Sequence, residues 1–493
     1  MVMSIQDESG FAHPLRADSA PRSEAGDSES AIIHHFALKS LFFMSLGACR
    51  LKRRLLVPIL ALWAGTGLTS CGKSGASKGP PSGLLNRVAA SQGVSSTSTF
   101  GGVVIVDGSD DTITRAAELP AGNSPRLMAI SPERNILATF DAFSNSVYSA
   151  NTSSESNLGR VQLPGQTWSM VVPTASPIGY AAVPSASVSG YSFVGAIEVM
   201  NLSPGALTTT IAVSNAQTVV SNADGSQLLV FSNDSDSVTV LSPTLAVPPV
   251  DTSCLTAPNA VCTVVPGFDR PVYAVISGTT AYIFNCGAEC GGTQASIQTL
   301  DLGTLAVGTP VPVNGATYGL LIGTRLYVAG NGTPTGQTCA SLPNAAPTAA
   351  TYCGTLDILD VTTMTDPYYN NPGSEIAIPD GYHDQMDMSV NDQLFVGSYN
   401  CTNIGSVSNP VGEVRGCLAI YNTSNNSLII PPDNGDVDGL QSFVTRDIEY
   451  VAEGGNLRVY DTTRDILLIN DFVPTGTINI VGYTSDVKAL DFF

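Results

Sequence analysis

His383 is the residue best suited to acid–base chemistry, because it is the one histidine after residue 35 and it precedes Asp384. An imidazole beside a carboxylate can act as a general base. Arg126 and Arg270 stand just before segments that read as strands, as His383 does, so a hydrolytic site would combine these four side chains. The alternative is that His383 is an exposed loop histidine without a catalytic role.

A second candidate is a calcium loop formed by Asn434, Asp436 and Asp438. Their spacing matches the first half of an oxygen-ligand loop. The twelfth position, where such a loop carries a bidentate glutamate, is Thr445. A simple turn between repeats is therefore the competing interpretation, and no other metal site and no cofactor is predicted.

Eight cysteines follow residue 72, and they form four couples that are close in sequence. An even number of cysteines in an exported chain favours disulfides. A zinc site is disfavoured, since this part of the chain offers one histidine as a nitrogen ligand. The predicted bridges are Cys254–Cys262, Cys286–Cys290, Cys339–Cys353 and Cys401–Cys417.

The segments around these residues repeat one pattern: alternating apolar residues that end in Asp, Asn or Ser, followed by a polar turn. Period-2 alternation indicates a strand with one buried face, and a terminal Asp or Asn can bond backbone N–H groups in the turn. The terminal residues of the eight copies are Asp107, Asn151, Asn201, Ser242, Asp301, Asp360, Asn422 and Asp461.

Most of these copies are preceded by a second pair of strands, so each unit predicts two hairpins and four strands. Successive terminal residues are 39 to 62 residues apart, and four-stranded propeller blades need roughly 40–50. The predicted fold is an all-β propeller with eight blades, or seven if one weak unit is a decoration. Residues 102–114 supply an outer pair and 478–493 an inner pair, so both termini are expected to complete one blade and close the ring.

Two repeats, Ser221–Leu241 and Ser131–Thr152, resemble the YVTN-type β-propeller repeat, and Leu457–Leu468 resembles its second half. Some propellers of this type are similar to sugar-acid lactonases. The resemblance implies, as an alternative function, an envelope hydrolase with its site at one mouth of the central channel. His383, Asp384, Arg126 and Arg270 are the candidates for that site.

The N-terminal region has the features of an export signal. A basic cluster at 50–54, a short apolar run and Leu68-Thr69-Ser70-Cys71 predict a lipoprotein signal over 44–70, with Cys71 as the lipid-bearing residue. Residues 1–43 are expected to be a mis-assigned extension. The Gly/Ser/Pro-rich segment 71–98 predicts a flexible tether before a propeller at 99–493.

Composition limits the function. The formal charge of −20 repels phosphate backbones, which excludes nucleic acid as an expected partner. We expect a cell-envelope propeller that is anchored by its N-terminal lipid and acts as a binding or scaffolding module, with a non-enzymatic role favoured over catalysis. An envelope protein or a carbohydrate is the expected partner.

Overall fold

The computed structural model describes residues 80–94, 101–243, 252–253, 262–334, 336–338, 352–369, 371, 374–402, 416–431, 435–467 and 475–492. Thirty-five strands and two short 3-10 turns, Gly287–Cys290 and Val444–Arg446, lie within these ranges. The predicted signal segment and Cys71 lie outside the described residues.

In chain order, the first eleven strands are β1 Arg87–Gln92, β2 Gly102–Asp107, β3 Thr112–Leu119, β4 Pro125–Ile130, β5 Ile136–Asp141, β6 Ser146–Asn151, β7 Ser156–Gln162, β8 Ser169–Val171, β9 Ile178–Ser187, β10 Val194–Asn201 and β11 Ala206–Ala212. The next twelve are β12 Ala216–Ser221, β13 Leu228–Ser232, β14 Ser237–Leu241, β15 Thr252–Ser253, β16 Cys262–Pro266, β17 Pro271–Ser277, β18 Thr280–Asn285, β19 Ser296–Asp301, β20 Val311–Pro312, β21 Tyr318–Ile322, β22 Arg325–Gly330 and β23 Gln337–Thr338. The last twelve are β24 Tyr352–Asp360, β25 Ile376–Pro379, β26 Tyr382–Met388, β27 Gln393–Tyr399, β28 Leu418–Asn422, β29 Leu428–Ile429, β30 Val437–Phe443, β31 Ile448–Glu453, β32 Asn456–Asp461, β33 Ile466–Leu467, β34 Thr477–Ile478 and β35 Val487–Ala489.

These strands form eight blades around a ring, antiparallel except for the parallel pairing of β15 with β11, so the predicted β-propeller and its favoured blade number are confirmed. Blade 1 runs β35-β1-β2-β3 from the centre outwards, blade 2 is β4–β7, and blade 3 is β8–β11 with β15 added at its edge. Blade 4 is β12, β13, β14 and β16, and blade 5 is β17–β20. Blade 6 is β21, β22 and β24 with β23 and β25, blade 7 is β26–β29, and blade 8 is β30–β32 with β33 and β34.

The predicted repeat ends fall in equivalent places. Seven of the eight are the last residue of the third strand of a blade, and Ser242 follows the end of β14 directly. The side chains also act in the turns as expected. Asp107 Oδ1 accepts the backbone N–H of Ser109 at 2.9 Å, and Asp461 Oδ1 accepts that of Thr463 at 2.9 Å.

Blade 1 closes the ring as predicted, but the two ends of the chain do not contribute two strands each. The C-terminal segment contributes one strand, β35, to blade 1, and the N-terminal segment contributes three, because β1 pairs with both β2 and β35. The predicted tether over 71–98 is therefore wrong at residues 87–92. Arg87–Gln92 is a strand of the propeller, which begins before residue 99.

The core consists of apolar layers between adjacent blades. Phe140 and Val147 of blade 2 pack with Ala181 and Ala196 of blade 3, and all four side chains are buried. A blade buries both of its faces in this way, so each unit packs on its two neighbours and the ring as a whole forms the core.

Candidate functional site

The inner strands of the eight blades begin at one end of the central channel. Each blade returns the chain after four strands, so successive inner strands run in the same direction. In five of them the pairing with the second strand shifts register near the start. The inner-strand residues at which these shifts occur are Arg126, Gln217, Val272, Asp384 and Asp438. We call this end of the channel the bulge mouth.

Such bulges re-aim side chains and are frequent next to binding sites. Three residues that the sequence singled out, Arg126, Asp384 and Asp438, lie at this equivalent position in blades 2, 7 and 8. The structure thus groups members of two separate candidate sites, the hydrolytic and the calcium one, at a single mouth.

Two disulfides lie in loops at the same mouth. Cys286–Cys290 closes the loop between the second and third strands of blade 5, and Cys401–Cys417 does so in blade 7. Both confirm predicted pairs. Cys262 and Cys353 are also disulfide-bonded, whereas their predicted partners, Cys254 and Cys339, lie outside the described residues.

Asp384 lies within electrostatic reach of tyrosines from two blades, and a third blade adds a tyrosine that stacks on one of them. Tyr273 of blade 5 stacks on Tyr318 of blade 6 with ring centroids 4.3 Å apart, and Tyr382 packs against Tyr399 at 5.4 Å. Burial raises the pKa of Tyr318 and of Tyr382 well above the ordinary value, and Asp384 contributes to both increases. One carboxylate therefore lies within electrostatic reach of both rings.

Glu289 adds a second carboxylate from the Cys286–Cys290 loop. Its Oε2 accepts the backbone N–H of Asn331 at 2.8 Å. Burial raises the pKa of Glu289 to about 7, and its charge in turn raises the pKa of Tyr382. We call these six residues the tyrosine–carboxylate cluster: Tyr273, Tyr318, Tyr382, Tyr399, Asp384 and Glu289.

His383 is not an exposed loop residue. It lies in β26 and is 1% exposed, and its Nε2–H donates to the backbone oxygen of Pro379 at 3.0 Å. Its ring packs against Gly354 of blade 6, where an added Cβ would come within 2.6 Å of Cε1. Burial lowers the pKa of His383 to about 4. The side chain forms part of the blade wall, which does not suit the predicted role of general base.

The two arginines of the predicted hydrolytic site lie apart in the ring. Arg126 lies at the shift in β4 of blade 2. Arg270 precedes β17 in blade 5 and faces Asp234 and Asp236, each at 3.8 Å from its guanidinium. Only Asp384 of the four candidates belongs to the tyrosine–carboxylate cluster.

Two of the three calcium candidates already accept hydrogen bonds. Asp438 lies within strand β30, and its Oδ2 accepts the Tyr483 hydroxyl at 3.3 Å. Asp436 Oδ1 accepts the backbone N–H of Asn400 at 2.6 Å, and Asn434 lies outside the described residues. In the described parts of the chain, no group of three or more His, Cys, Asp or Glu side chains could hold a metal ion.

Sequence reasoning missed the tyrosines and Glu289. A signal was present, since Tyr273, Tyr318 and Tyr382 each occur within the first three residues of an inner strand. Their approach depends on the ring, which brings three strands that are far apart in sequence to one side of the channel.

Comparison with known proteins identifies no family, because no protein-family model matches the chain and no curated protein matches it at a significant level. Solved propeller structures do match. Dihydro-heme d1 dehydrogenase NirN, solved in complex with DHE, is 12% identical with a TM-score of 0.50, over 82% of this chain and 75% of that one. The periplasmic gluconolactonase PpgL of Pseudomonas aeruginosa is 13% identical with a TM-score of 0.42, over 82% and 99%. A putative 6-phosphogluconolactonase of Bacteroides fragilis is 10% identical with a TM-score of 0.44, over 83% and 99%. At such identities the likeness concerns the fold alone.

The disulfides indicate an oxidising, exported location. Among the residues that the structure describes, no helix is long and apolar enough to cross a membrane.

Proposed function

We propose that this protein is an exported ligand-binding propeller that holds a positively charged small ligand at the bulge mouth without transforming it. The observation that carries the proposal is the position of Asp384 within electrostatic reach of Tyr318 and Tyr382, with Tyr273 of a third blade stacked on Tyr318. Tyrosine faces attract cations through the ring quadrupole, and nearby carboxylates add a Coulomb attraction that is stronger in a partly desolvated site. The lipid anchor at Cys71, the envelope location and the kinship with YVTN-type repeats stay predictions from the sequence.

Cation binding fits the charges around the cluster. Asp384 supplies negative charge, and Glu289, with its pKa of about 7, adds to it as the pH rises, while Arg270 faces two aspartates of its own. A phosphorylated or carboxylated ligand would be repelled by the same carboxylates. The overall charge of −20 works in the same direction by attracting cations over longer distances.

The lactonase alternative has less support. The base expected for it, His383, is buried, hydrogen-bonded to Pro379 and held in the neutral form above about pH 4. Its low pKa also makes it a weak proton acceptor at neutral pH. A lactonase here would need another base, and we expect purified protein to leave gluconolactone and 6-phosphogluconolactone at their spontaneous hydrolysis rates.

The binding proposal is tested by calorimetry with choline, arginine and spermidine as cationic probes and gluconate as an anionic probe. We expect at least one cation to bind and gluconate not to bind. Asp384→Asn should weaken cation binding about tenfold, which corresponds to about 1.4 kcal/mol. The matched control is Asp392→Asn, an exposed carboxylate in the β26–β27 turn at the opposite end of blade 7, which should leave affinity unchanged. Binding of gluconate, or equal loss in both variants, would contradict the proposal.

A further inference from the structure

A group of buried polar side chains lies between blades 7 and 8, away from the bulge mouth. Asp387 near the end of β26, Ser389 just after it and Gln393 at the start of β27 belong to blade 7, and Glu449 belongs to β31 of blade 8. Glu449 is 0% exposed, Gln393 4% and Ser389 6%. Because β26 starts at the bulge mouth, these residues are near the opposite end of the channel.

The strand registers direct the four side chains to one interface. Asp387 pairs with Phe395, and its Oδ2 accepts the Ser442 N–H of blade 8 at 2.8 Å. Ser389 and Gln393 continue the same face, two residues from Asp387 and Phe395 respectively. From the other side, Glu449 is two residues from Val451, which packs in the same cluster as Phe395.

Several oxygens in this interface have no hydrogen-bond partner. They are both carboxylate oxygens of Glu449, Oε1 of Gln393 and the hydroxyl oxygen of Ser389. Burial raises the pKa of Glu449 well above its usual range, and neighbouring Asp387 raises it further, while Ser389 lowers it. Asp387 and Ser389 thus lie next to the Glu449 carboxylate. Buried polar atoms normally have a hydrogen-bond partner. A buried carboxylate without one carries the largest free-energy penalty.

A cation accounts for all of these oxygens together. We propose that the interface of blades 7 and 8 binds Ca²⁺ through Glu449, Asp387, Ser389 and the amide oxygen of Gln393. Carboxylate, hydroxyl and amide oxygens are the ligands that Ca²⁺ takes, with water completing its shell. The set contains no imidazole or thiolate, which argues against zinc. A proton shared between Glu449 and Asp387 would satisfy one oxygen of Glu449, and the Ser389 hydroxyl can donate to the other, but Gln393 Oε1 would still lack a donor.

The nearest amino group does not replace the ion. Lys488 of blade 1 acts on the charge of Asp387, but its Nζ is bonded to Asp486 Oδ1 at 2.7 Å. An ion between blades 7 and 8 would add a tie to an interface that already contains apolar packing and the hydrogen bonds of Asp387 with Ser442 and of Asp436 with Asn400. It would therefore stabilise the fold rather than take part in ligand binding at the bulge mouth.

The test measures bound metal and metal-dependent stability in the full chain. Protein purified without chelator should contain stoichiometric Ca²⁺ by inductively coupled plasma mass spectrometry. Removal of Ca²⁺ with EDTA should lower the Tm, and CaCl2 should restore it by at least about 2 °C, with MgCl2 less effective. Glu449→Gln should abolish the response to Ca²⁺.

Two control variants locate the ion. Glu453→Gln changes another fully buried glutamate on the same face of β31, whose Oε2 accepts the Tyr460 hydroxyl at 3.0 Å; it should keep the Ca²⁺ response even if its Tm is lower. Asp438→Asn at the bulge mouth should keep it as well. A Ca²⁺ response that survives in Glu449→Gln, or one that is lost in Asp438→Asn, would overturn the assignment.

Absence of Ca²⁺ in the wild-type protein together with a Tm that ignores both EDTA and CaCl2 would also overturn it. Glu449 would then be a neutral carboxylic acid, and Glu449→Gln would be as stable as the wild type. If Glu449→Gln does not fold, the metal content of the wild type and anomalous diffraction from Ca²⁺ in its crystals still decide the matter.

Discussion

At the scale of single residues, His383 shows how burial changes the meaning of a sequence feature. A histidine next to an aspartate suggests acid–base chemistry, and the ring instead lies between blades with Nε2 bonded to Pro379. Its other nitrogen, Nδ1, is buried without a hydrogen-bond partner. Protonation would put a charge in this apolar setting, which explains why the pKa falls from 6.5 to about 4.

This pKa gives a prediction about stability and pH. Between pH 6.5 and about 4 the folded protein binds fewer protons at His383 than the unfolded chain does. The contribution of His383 is therefore complete above pH 6.5 and falls as the pH drops towards 4, by about 3 kcal/mol. Buried carboxyls with raised pKa values, such as Glu289, give the opposite slope. We therefore compare the free energies of unfolding of the wild type and of His383→Gln, measured with urea at several pH values between 4 and 6.5. Their difference isolates the contribution of His383.

Proton NMR checks the same prediction directly. The imidazole signal that disappears in His383→Gln should not titrate between pH 5 and 8. A midpoint near 6.5 would contradict the burial argument and would return His383 to the set of candidate bases.

At the scale of elements, the salt bridges of β1 hold the ends of the chain together. Arg87 Nη2 lies 2.6 Å from Asp491 Oδ1, and Nη1 lies 3.1 Å from Glu155 Oε1 in blade 2, with the Arg87 side chain 5% exposed. Glu155 Oε2 also accepts the backbone N–H of Ser82. One guanidinium therefore links the first strand, the C-terminal segment and the neighbouring blade.

We expect Arg87→Ala to lower the free energy of unfolding by about 3–5 kcal/mol, because it leaves the buried Glu155 carboxylate and the partly exposed Asp491 carboxylate without their cation. The matched control is Arg464→Ala, which removes a surface pair with Asp461 in which the arginine is 59% exposed. That change should cost less than about 1 kcal/mol. Equal effects in urea unfolding would show that the Arg87 bridges do not secure ring closure.

The same strand shows where sequence patterns fail. Third strands were predictable because a local signal, alternating apolar residues with a terminal Asp or Asn, marks each of them, as at Asp360 and Asn422. Strand β1, RVAASQ, is buried on both faces and made of small residues. It lacks alternation, and it adjoins a Gly/Ser/Pro-rich stretch, so the sequence pattern indicated a tether.

The candidate site was predictable only in part for a related reason. Asp384 was found through its neighbour His383, but two of the tyrosines of its cluster, Tyr318 and Tyr273, precede it by 66 and 111 residues in sequence. Their proximity depends on ring closure, which no local pattern encodes. The bulge positions of Arg126 and Asp438 likewise depend on strand pairing.

At the scale of the whole molecule, blade 1 contains strands from both ends of the chain. Its N-terminal strand β1 starts at Arg87, so the propeller begins before residue 99. If Cys71 carries the lipid, the stretch from Cys71 to Pro80 can span at most about 30 Å, since each residue adds about 3.3–3.6 Å at full extension. The 28-residue tether expected from the sequence would have reached much further. An anchored propeller would therefore stay close to the membrane surface.

The closure also predicts how the molecule responds to truncation. Deletion of residues 72–92 removes β1, which pairs with β2 through six residues and with β35 through three. Two strand edges are then exposed in the middle of a blade, and exposed edges promote association between chains. We expect this protein to lose its cooperative urea transition and to form oligomers on size-exclusion chromatography.

Deletion of residues 72–79 is the matched control, because it keeps β1 and the bonds of Ser82 and Arg87 to Glu155 and Asp491. It should leave the urea midpoint and the elution volume of the undeleted protein unchanged. An unchanged midpoint after the longer deletion would mean that the ring closes without β1, in which case the two termini could not be the element that holds eight blades together. A loss confined to the longer deletion would locate that element in Arg87–Gln92, where one strand joins the two ends of the chain.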